Sequence, residues 1–151
     1  MRALMAAVLL VGGLIVADAR ADFSMMISKS PHTVAATLDR FEAALKEQGV
    51  AVTARVDHAA AATAAGMKLR PTQLLIFGNP KLGTPLMQSD QRIAMDLPLK
   101  ALAWEDDTGQ VWLAVSRPSA LAARHGISNR AEIVDKMTEV LNALASRATR
   151  P

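Results

Sequence analysis

The sequence predicts an α+β domain, a mostly antiparallel sheet with two main helices packed on one face, in the order β-α-β(4)-α. Short apolar runs of strand length stand beside two stretches of helical periodicity. Two strand runs are joined by a five-residue, turn-rich connection at 105–109, which favours a hairpin and therefore an antiparallel pair. Because the 151 residues contain no internal repeat and no linker, we expect a single domain.

The first 21 residues are typical of a cleaved secretory signal. A positive start at Arg2 is followed by 14 uncharged residues, 3–16, and then by the small-residue exit Ala19-Arg20-Ala21, with a second cleavage option after Ala19. At about 1.5 Å per residue the apolar run spans about 21 Å, less than the ~30 Å bilayer core. An uncleaved membrane anchor is the alternative. Cleavage leaves residues 22–151 as one domain in the periplasm or outside the cell.

Composition and charge exclude several classes of chemistry. The chain has no cysteine and no tyrosine, which excludes disulfides, thiolate metal sites, cysteine nucleophiles and phenol acids. The formal net charge of +3 falls to +2 when Arg2, Asp18 and Arg20 are removed, too small a charge to indicate nucleic-acid binding. We therefore expect no nucleic acid and, after signal cleavage, no membrane. A small molecule, a periplasmic protein and a homo-oligomer are the partners left open.

The first half of the domain contains two strands and two helices. Residues 23–28 predict a strand, and Ser30-Pro31 predicts the N-cap and first residue of a helix that ends before Gly49. Residues 51–56 predict the second strand, after which Asp57 caps a short helix, 58–65, that stops at Gly66. The first helix carries an apolar stripe at helical spacing, formed by Val34, Leu38, Phe41 and Leu45.

The second half contains three strands and the last helix. The nearly all-apolar run 72–77 predicts a strand buried on both faces. Residues 99–104 and 110–116 predict the hairpin, with Trp104 and Trp112 on one face as diagonal neighbours. Asn129-x-x-Glu132 is a capping-box variant that begins a C-terminal helix within 128–147, after which we expect fraying.

The connection Gly78–Pro98 is unusually long for a compact domain, and such connections are often functional. It holds three of the seven prolines. Thr84-Pro85 predicts that part of it forms a short helix extending to about Asp90. The rest of the connection must then be held to the domain by side chains.

Five sequence blocks resemble the family called domain of unknown function 302. In chain order they are VDHAA (56–60), LRPTQLLIFGNP (69–80), KLGTPLM (81–87), DLPLK (96–100) and WED (104–106). The resemblance covers residues 23–127, and five blocks in the right order are far more specific than any one of them. It implies a β-α-β(4)-α fold of the TATA-binding-protein-like type, in agreement with the order predicted from the residues. It brings no established activity, and fold similarity to a DNA-binding protein is no evidence for DNA binding.

Polar residues around the long connection are the candidate ligand contacts. If the connection folds back over the hairpin, Asp96 and Glu105 face a shared cleft with Asn79 and His58. A simpler interpretation is that the Asn79 and Asp96 side chains bond the loop backbone and hold the connection in place. The candidate ligand-binding residues are His58, Asn79, Thr84, Asp96 and Glu105.

The function that the sequence favours is a non-catalytic ligand-binding or accessory module, with its pocket where residues 78–98 cross the sheet. The alternative is a metal- or haem-binding protein that uses His58 with help from methionine or carboxylate groups. The simpler role for His58 is to brace the start of its helix, and no histidine spacing typical of zinc is present. A hydrolase with an Asp57–His58 base lacks a recognisable nucleophile, so enzyme activity is not favoured. Cofactor and metal content stay undetermined.

Overall fold

The computed structural model describes residues 24–151, and the predicted signal segment lies outside them. Within this range five antiparallel strands form one sheet in the order β1-β5-β4-β3-β2. The α+β prediction is therefore confirmed. The strands are β1 (Met25–Ser30), β2 (Ala51–Asp57), β3 (Thr72–Gly78), β4 (Leu99–Glu105) and β5 (Val111–Ser116).

Helices α1 and α5 pack together on one face of this sheet. The predicted stripe of α1 is buried, and the Phe41 ring meets the Phe77 ring of β3 edge-on at 5.4 Å between centroids. None of the helices within 24–151 is long and apolar enough to cross a membrane. The described helices are α1 (Val34–Glu47), α2 (His58–Ala64), α3 (Pro80–Ser89), α4 (Pro118–Arg124) and α5 (Ala131–Thr149), with a 3-10 turn at Gln91–Met95.

The predicted first residues of α1 and α3 were wrong by a few residues. The N-cap of α1 is Thr33, whose hydroxyl accepts from the Ala36 N–H at 3.2 Å. Ser30 instead ends β1, where its buried hydroxyl bonds the Thr37 hydroxyl at 2.6 Å. Helix α3 begins at Pro80, not at Thr84, because Asn79 caps it and Pro80 has a φ angle suited to a first helical position.

The predicted capping box and frayed end of α5 were also wrong. The helix begins after Arg130, which makes no side-chain cap; its Nε donates instead to the Ser89 hydroxyl at 3.0 Å. At the other end the helix extends to Thr149. The Arg150 carbonyl accepts hydrogen bonds from His32 Nε2 at 2.7 Å and from Arg40 Nη2 at 3.0 Å, which holds this end in place.

Two predictions about the strands need correction. Trp104 and Trp112 are directly opposite each other rather than diagonal. The reason is that β5 begins at Val111, which pairs with Glu105, so the turn lies one residue later in the chain than predicted. Their rings stack with centroids 6.4 Å apart. Strand β3 is buried on one face only. Leu75 and Phe77 lie under the helices, while Leu74 and Ile76, on the other face, stay partly exposed.

Candidate ligand cavity

A cavity of about 360 Å³ lies where β3 ends and β4 begins, between α3 and α5. This is the place where the sequence predicts a pocket, because residues 78–98 leave and re-enter the sheet there. Its lining contains no charged side chain. Most of the wall is aliphatic, including Leu82 and Met87 from α3 and Met137, Val140, Leu141 and Leu144 from α5.

The local sequence brings α3 directly over the end of the sheet. Asn79 follows the last residue of β3, and its Oδ1 accepts from the Lys81 N–H at 3.0 Å, so the chain turns into a helix without a loop. Gly78 permits this turn to lie against the returning chain: a Cβ at Gly78 would stand 3.2 Å from Pro98 Cβ. A side chain at Gly78 would therefore push the two ends of the connection apart.

The polar groups of the cavity are few. Asn79 is half-buried, while Thr53 and Thr84 are exposed with Ala51 and Pro98, so these residues lie at the mouth. Small-molecule pockets are commonly built in this way, with an apolar wall and a few polar groups that fix orientation. The described lining supplies no carboxylate, imidazole or amine.

The structure brings together some of the predicted site residues and separates others. Asn79 and Thr84 line the cavity, and Asp96 lies just before the Leu97–Pro98 wall. His58 and Glu105 are at the opposite end of the sheet, where β2 and β4 end. At about 3.4 Å per residue, a strand of seven residues separates these two ends by about 20 Å. His58 and Glu105 therefore do not share a cleft with Asn79.

Asp96 binds side chains at the C-terminal end of α4, a helix that was not predicted from the sequence. Its Oδ1 accepts from Arg124 Nη1 at 2.8 Å, and its Oδ2 lies 2.7 Å from His125 Nε2. The hydrogen bond with His125 lowers the pKa of Asp96, and the positive charges of Arg124 and Lys100 add to this effect, whereas burial opposes it. Asp96 therefore stays ionised and joins the long connection to α4. Pro118 at the first position of α4 was the signal available in the sequence.

Asp57 and His58 do not form the carboxylate–imidazole pair that an Asp57–His58 base would use. The Asp57 carboxylate accepts from the Ala60 N–H at 2.8 Å, which confirms the predicted cap, and from Gln73 Nε2 at 2.9 Å. His58 is exposed at the first position of α2. Across residues 24–151, no group of three or more His, Asp or Glu side chains is arranged to hold a metal ion.

The family is decided by sequence comparison. The family model described as "Domain of unknown function DUF302" matches residues 26–144. The chain belongs to this family. The match extends the predicted family region, 23–127, into α5. A solved DUF302 structure, an uncharacterised conserved protein from Bacillus stearothermophilus, superposes with a TM-score of 0.76 at 19% identity, covering 85% of this chain and 99% of that chain. This likeness shows that the fold is shared.

Curated relatives of this DUF302 chain are longer proteins. The chain is 47% identical over 115 residues to the fluoride-specific ion channel FluC 1 of Brucella suis, which covers 76% of this chain and 45% of the relative. The same identity and length are found with FluC 1 of Brucella abortus, where 43% of the relative is covered. The chain thus spans less than half the length of the curated relatives it matches.

Proposed function

We propose that this DUF302 domain is an exported, non-catalytic module that binds a small, uncharged and mainly aliphatic molecule in the cavity between α3 and α5. The observation that carries the proposal is an uncharged cavity of about 360 Å³ at the site where the long connection crosses the sheet. This volume lies within the range of about 300–1,000 Å³ that is usual for small-molecule sites.

The lining determines which ligands fit. Transfer of a charged group into this wall is unfavourable, because no side chain of opposite charge lines it. An aliphatic chain packs against Val140, Leu141 and Leu144, and a hydroxyl or carbonyl at its end reaches the Asn79 amide or the Thr84 hydroxyl at the mouth. We therefore favour a neutral aliphatic molecule with one polar end.

A series of straight-chain alcohols tests this proposal. Displacement of the neutral fluorescent probe N-phenyl-1-naphthylamine measures the affinity of each alcohol. Burial of one methylene contributes about 0.8 kcal/mol, so affinity should rise about fourfold per added carbon until the chain outgrows the cavity. The matching fatty acids should bind more weakly than the alcohols at a pH where they are ionised.

A pair of variants on α5 controls for binding elsewhere. Val140→Trp fills the cavity from its wall and should abolish probe binding. Ala143→Trp places the same side chain on the exposed side of the same helix and should leave probe binding unchanged. Equal binding by both variants, or an affinity that does not depend on alcohol length, would contradict the proposal.

Export is tested on the same protein. The mass of the purified chain from a periplasmic extract should correspond to cleavage after Ala21 or Ala19. Recovery of the full-length chain from the membrane fraction would instead support the uncleaved anchor.

A second candidate function is that of an accessory domain to a fluoride channel. It is favoured by the 47% identity to a segment that makes up 45% of Brucella suis FluC 1. In this proposal the domain modulates fluoride export by the remainder of that protein. Deletion of the matching segment from FluC 1 should lower fluoride resistance of the host cells, and replacement by residues 26–144 of this chain should restore it. Unchanged resistance after the deletion would refute this candidate.

A further inference from the structure

The face of the sheet opposite the helices is apolar, and no described element covers it. Its central row runs through all five strands in hydrogen-bonded register, and each of its residues is apolar: Ile27, Ala114, Leu102, Leu74 and Val56. Ile27 is 47% exposed and Val56 36%, Leu102 and Leu74 are half-buried, and the small side chain of Ala114 is 2% exposed. A sheet with one face in water normally alternates apolar and polar residues. The sequence of β3 predicts burial on both faces, and the structure supplies a cover for only one.

The two rows beside this central row carry the tryptophans and two lysines. Trp104 and Trp112 stack on one side of the central row, with Lys29 Nζ 5.4 Å from the Trp112 ring centroid. On the other side Lys100 Nζ donates to the carbonyls of Asp96 and Pro98, at 3.1 Å each. Strand alternation places no carboxylate of the strands themselves on this face, and the Asp106 carboxylate at its edge accepts from the Trp112 indole at 2.7 Å. Both ammonium groups are already engaged and lie away from the central row.

We propose that this open face, defined by the central row and its two neighbouring rows, is the interface through which two copies of the chain form a dimer. A symmetric dimer brings the same patch onto itself, so charge near the two-fold axis is repulsive. The central row has no charge, which places the axis along it. Two sheets then pack face to face as in a β-sandwich, about 10 Å apart.

The area of the open face is sufficient for a dimer that dissociates on dilution. Five strands about 4.8 Å apart and about six residues long at about 3.4 Å per residue cover roughly 500 Å² in projection. Two copies therefore remove about 1,000 Å² from water before the relief of the side chains is counted, which is the threshold for a biological interface and corresponds to a weak dimer. A nucleic acid is a poor occupant, because the described strands place two cationic side chains, both lysines, on this face, and these are too few to neutralise a phosphate backbone. The proposal is independent of what the cavity binds.

Sedimentation and intrinsic fluorescence test the dimer on the purified chain. The wild type should sediment at twice the chain mass, and dilution should produce a half-mass species. The chain contains two tryptophans, Trp104 and Trp112, and both lie on the open face. Dissociation should therefore shift their emission to longer wavelength and increase quenching by acrylamide, in step with the change in mass.

Three variants decide whether the open face is responsible. Leu102→Lys and Ile27→Glu place a charge on the central row and should each halve the mass at concentrations where the wild type is dimeric. Met95→Lys changes an 85% exposed apolar side chain on the 3-10 turn and should stay dimeric. Circular dichroism identifies a variant that fails to fold, and Ile27→Glu, at an exposed edge position, is expected to fold.

Two results would overturn the proposal. A monomeric wild type at every concentration excludes a second copy as the occupant. Dimers that persist in both Leu102→Lys and Ile27→Glu place the interface elsewhere. If the wild type is monomeric and its tryptophans are protected only by vesicles of phosphatidylglycerol and phosphatidylethanolamine, the occupant is a membrane surface and the dimer proposal fails.

Discussion

The contact between Asp96 and α4 gives the most direct test of how the long connection is held. Asp96 meets two partners in different surroundings: the Arg124 side chain is 55% exposed, whereas that of His125 is 12% exposed. An exposed ion pair contributes about 0.2–1 kcal/mol. A hydrogen bond to a charged group contributes about 1.5–3 kcal/mol, and the 21% exposure of Asp96 favours the lower end of this range. We therefore expect His125 to be the stronger partner.

Two double-mutant cycles measure this difference. The single variants Asp96→Ala, His125→Ala and Arg124→Ala and the two double variants are unfolded in urea near pH 7, with circular dichroism as the readout. The coupling energy should be about 1.5 kcal/mol for Asp96 with His125, and less than about 1 kcal/mol for Asp96 with Arg124. A coupling to Arg124 as large as that to His125 would refute the reasoning from burial.

The pH dependence of Asp96 follows from the sign of its pKa shift. The folded-state pKa lies below the unfolded value of 3.8, so ionised Asp96 stabilises the fold at higher pH. This contribution is present in full above the unfolded pKa and is lost as pH falls through the folded pKa. The difference in unfolding free energy between wild type and Asp96→Asn should therefore shrink as the pH falls through the acidic range in which Asp96 becomes protonated. A difference that grows in acid would contradict the assignment.

Three further variants test the cavity wall, α3 and the hairpin. Leu141→Ala, at a side chain 3% exposed, should lower the free energy of unfolding by about 2–5 kcal/mol in urea, whereas the exposed Asn142→Ala should change it little. Gly83→Ala should stabilise the protein by about 0.5–1 kcal/mol in thermal unfolding, because alanine is favoured over glycine within a helix. The added Cβ meets Leu97 Cδ1 at an ordinary 3.6 Å. A lower stability would show that the connection cannot accept a methyl group. Hydrogen bonds from Thr108 and from the Trp112 indole lower the pKa of Asp106 from 3.8 to about 2. The difference in free energy of unfolding between wild type and Asp106→Asn should therefore be lost as pH falls from about 4 to about 2. A loss of this difference near neutral pH would refute the assignment.

The parts of the fold that local periodicity determines were predictable. Val34, Leu38 and Phe41 recur at helical spacing, and each is buried on α1. The strand composition of 72–77 and the turn residues of the hairpin likewise predicted β3, β4 and β5 close to their observed bounds. These features depend on neighbours within a few residues of one another, which the sequence displays directly.

The parts that depend on distant partners were not predictable. Asp96 bonds Arg124 and His125, which are 28 and 29 residues further along the chain, on a helix marked only by its first proline. The location of a pocket could be predicted from the length of 78–98, and Asn79 and Thr84 line the cavity found there. The aliphatic wall from α5 could not be predicted, because only tertiary packing brings Val140 and Leu144 to that end of the sheet.

The pairing of β1 with β5 determines when the sheet can be completed. Met25 is opposite Ser116 and Ser30 is opposite Val111, so the first strand has its partner 81–91 residues away. A chain that leaves a ribosome or a translocation pore with its N-terminus first therefore has no partner for β1 until all four other strands have emerged. Such long-range pairing slows folding. Pulse-labelled hydrogen exchange should show the amides of β1 gaining protection after those of the β3–β4 pair.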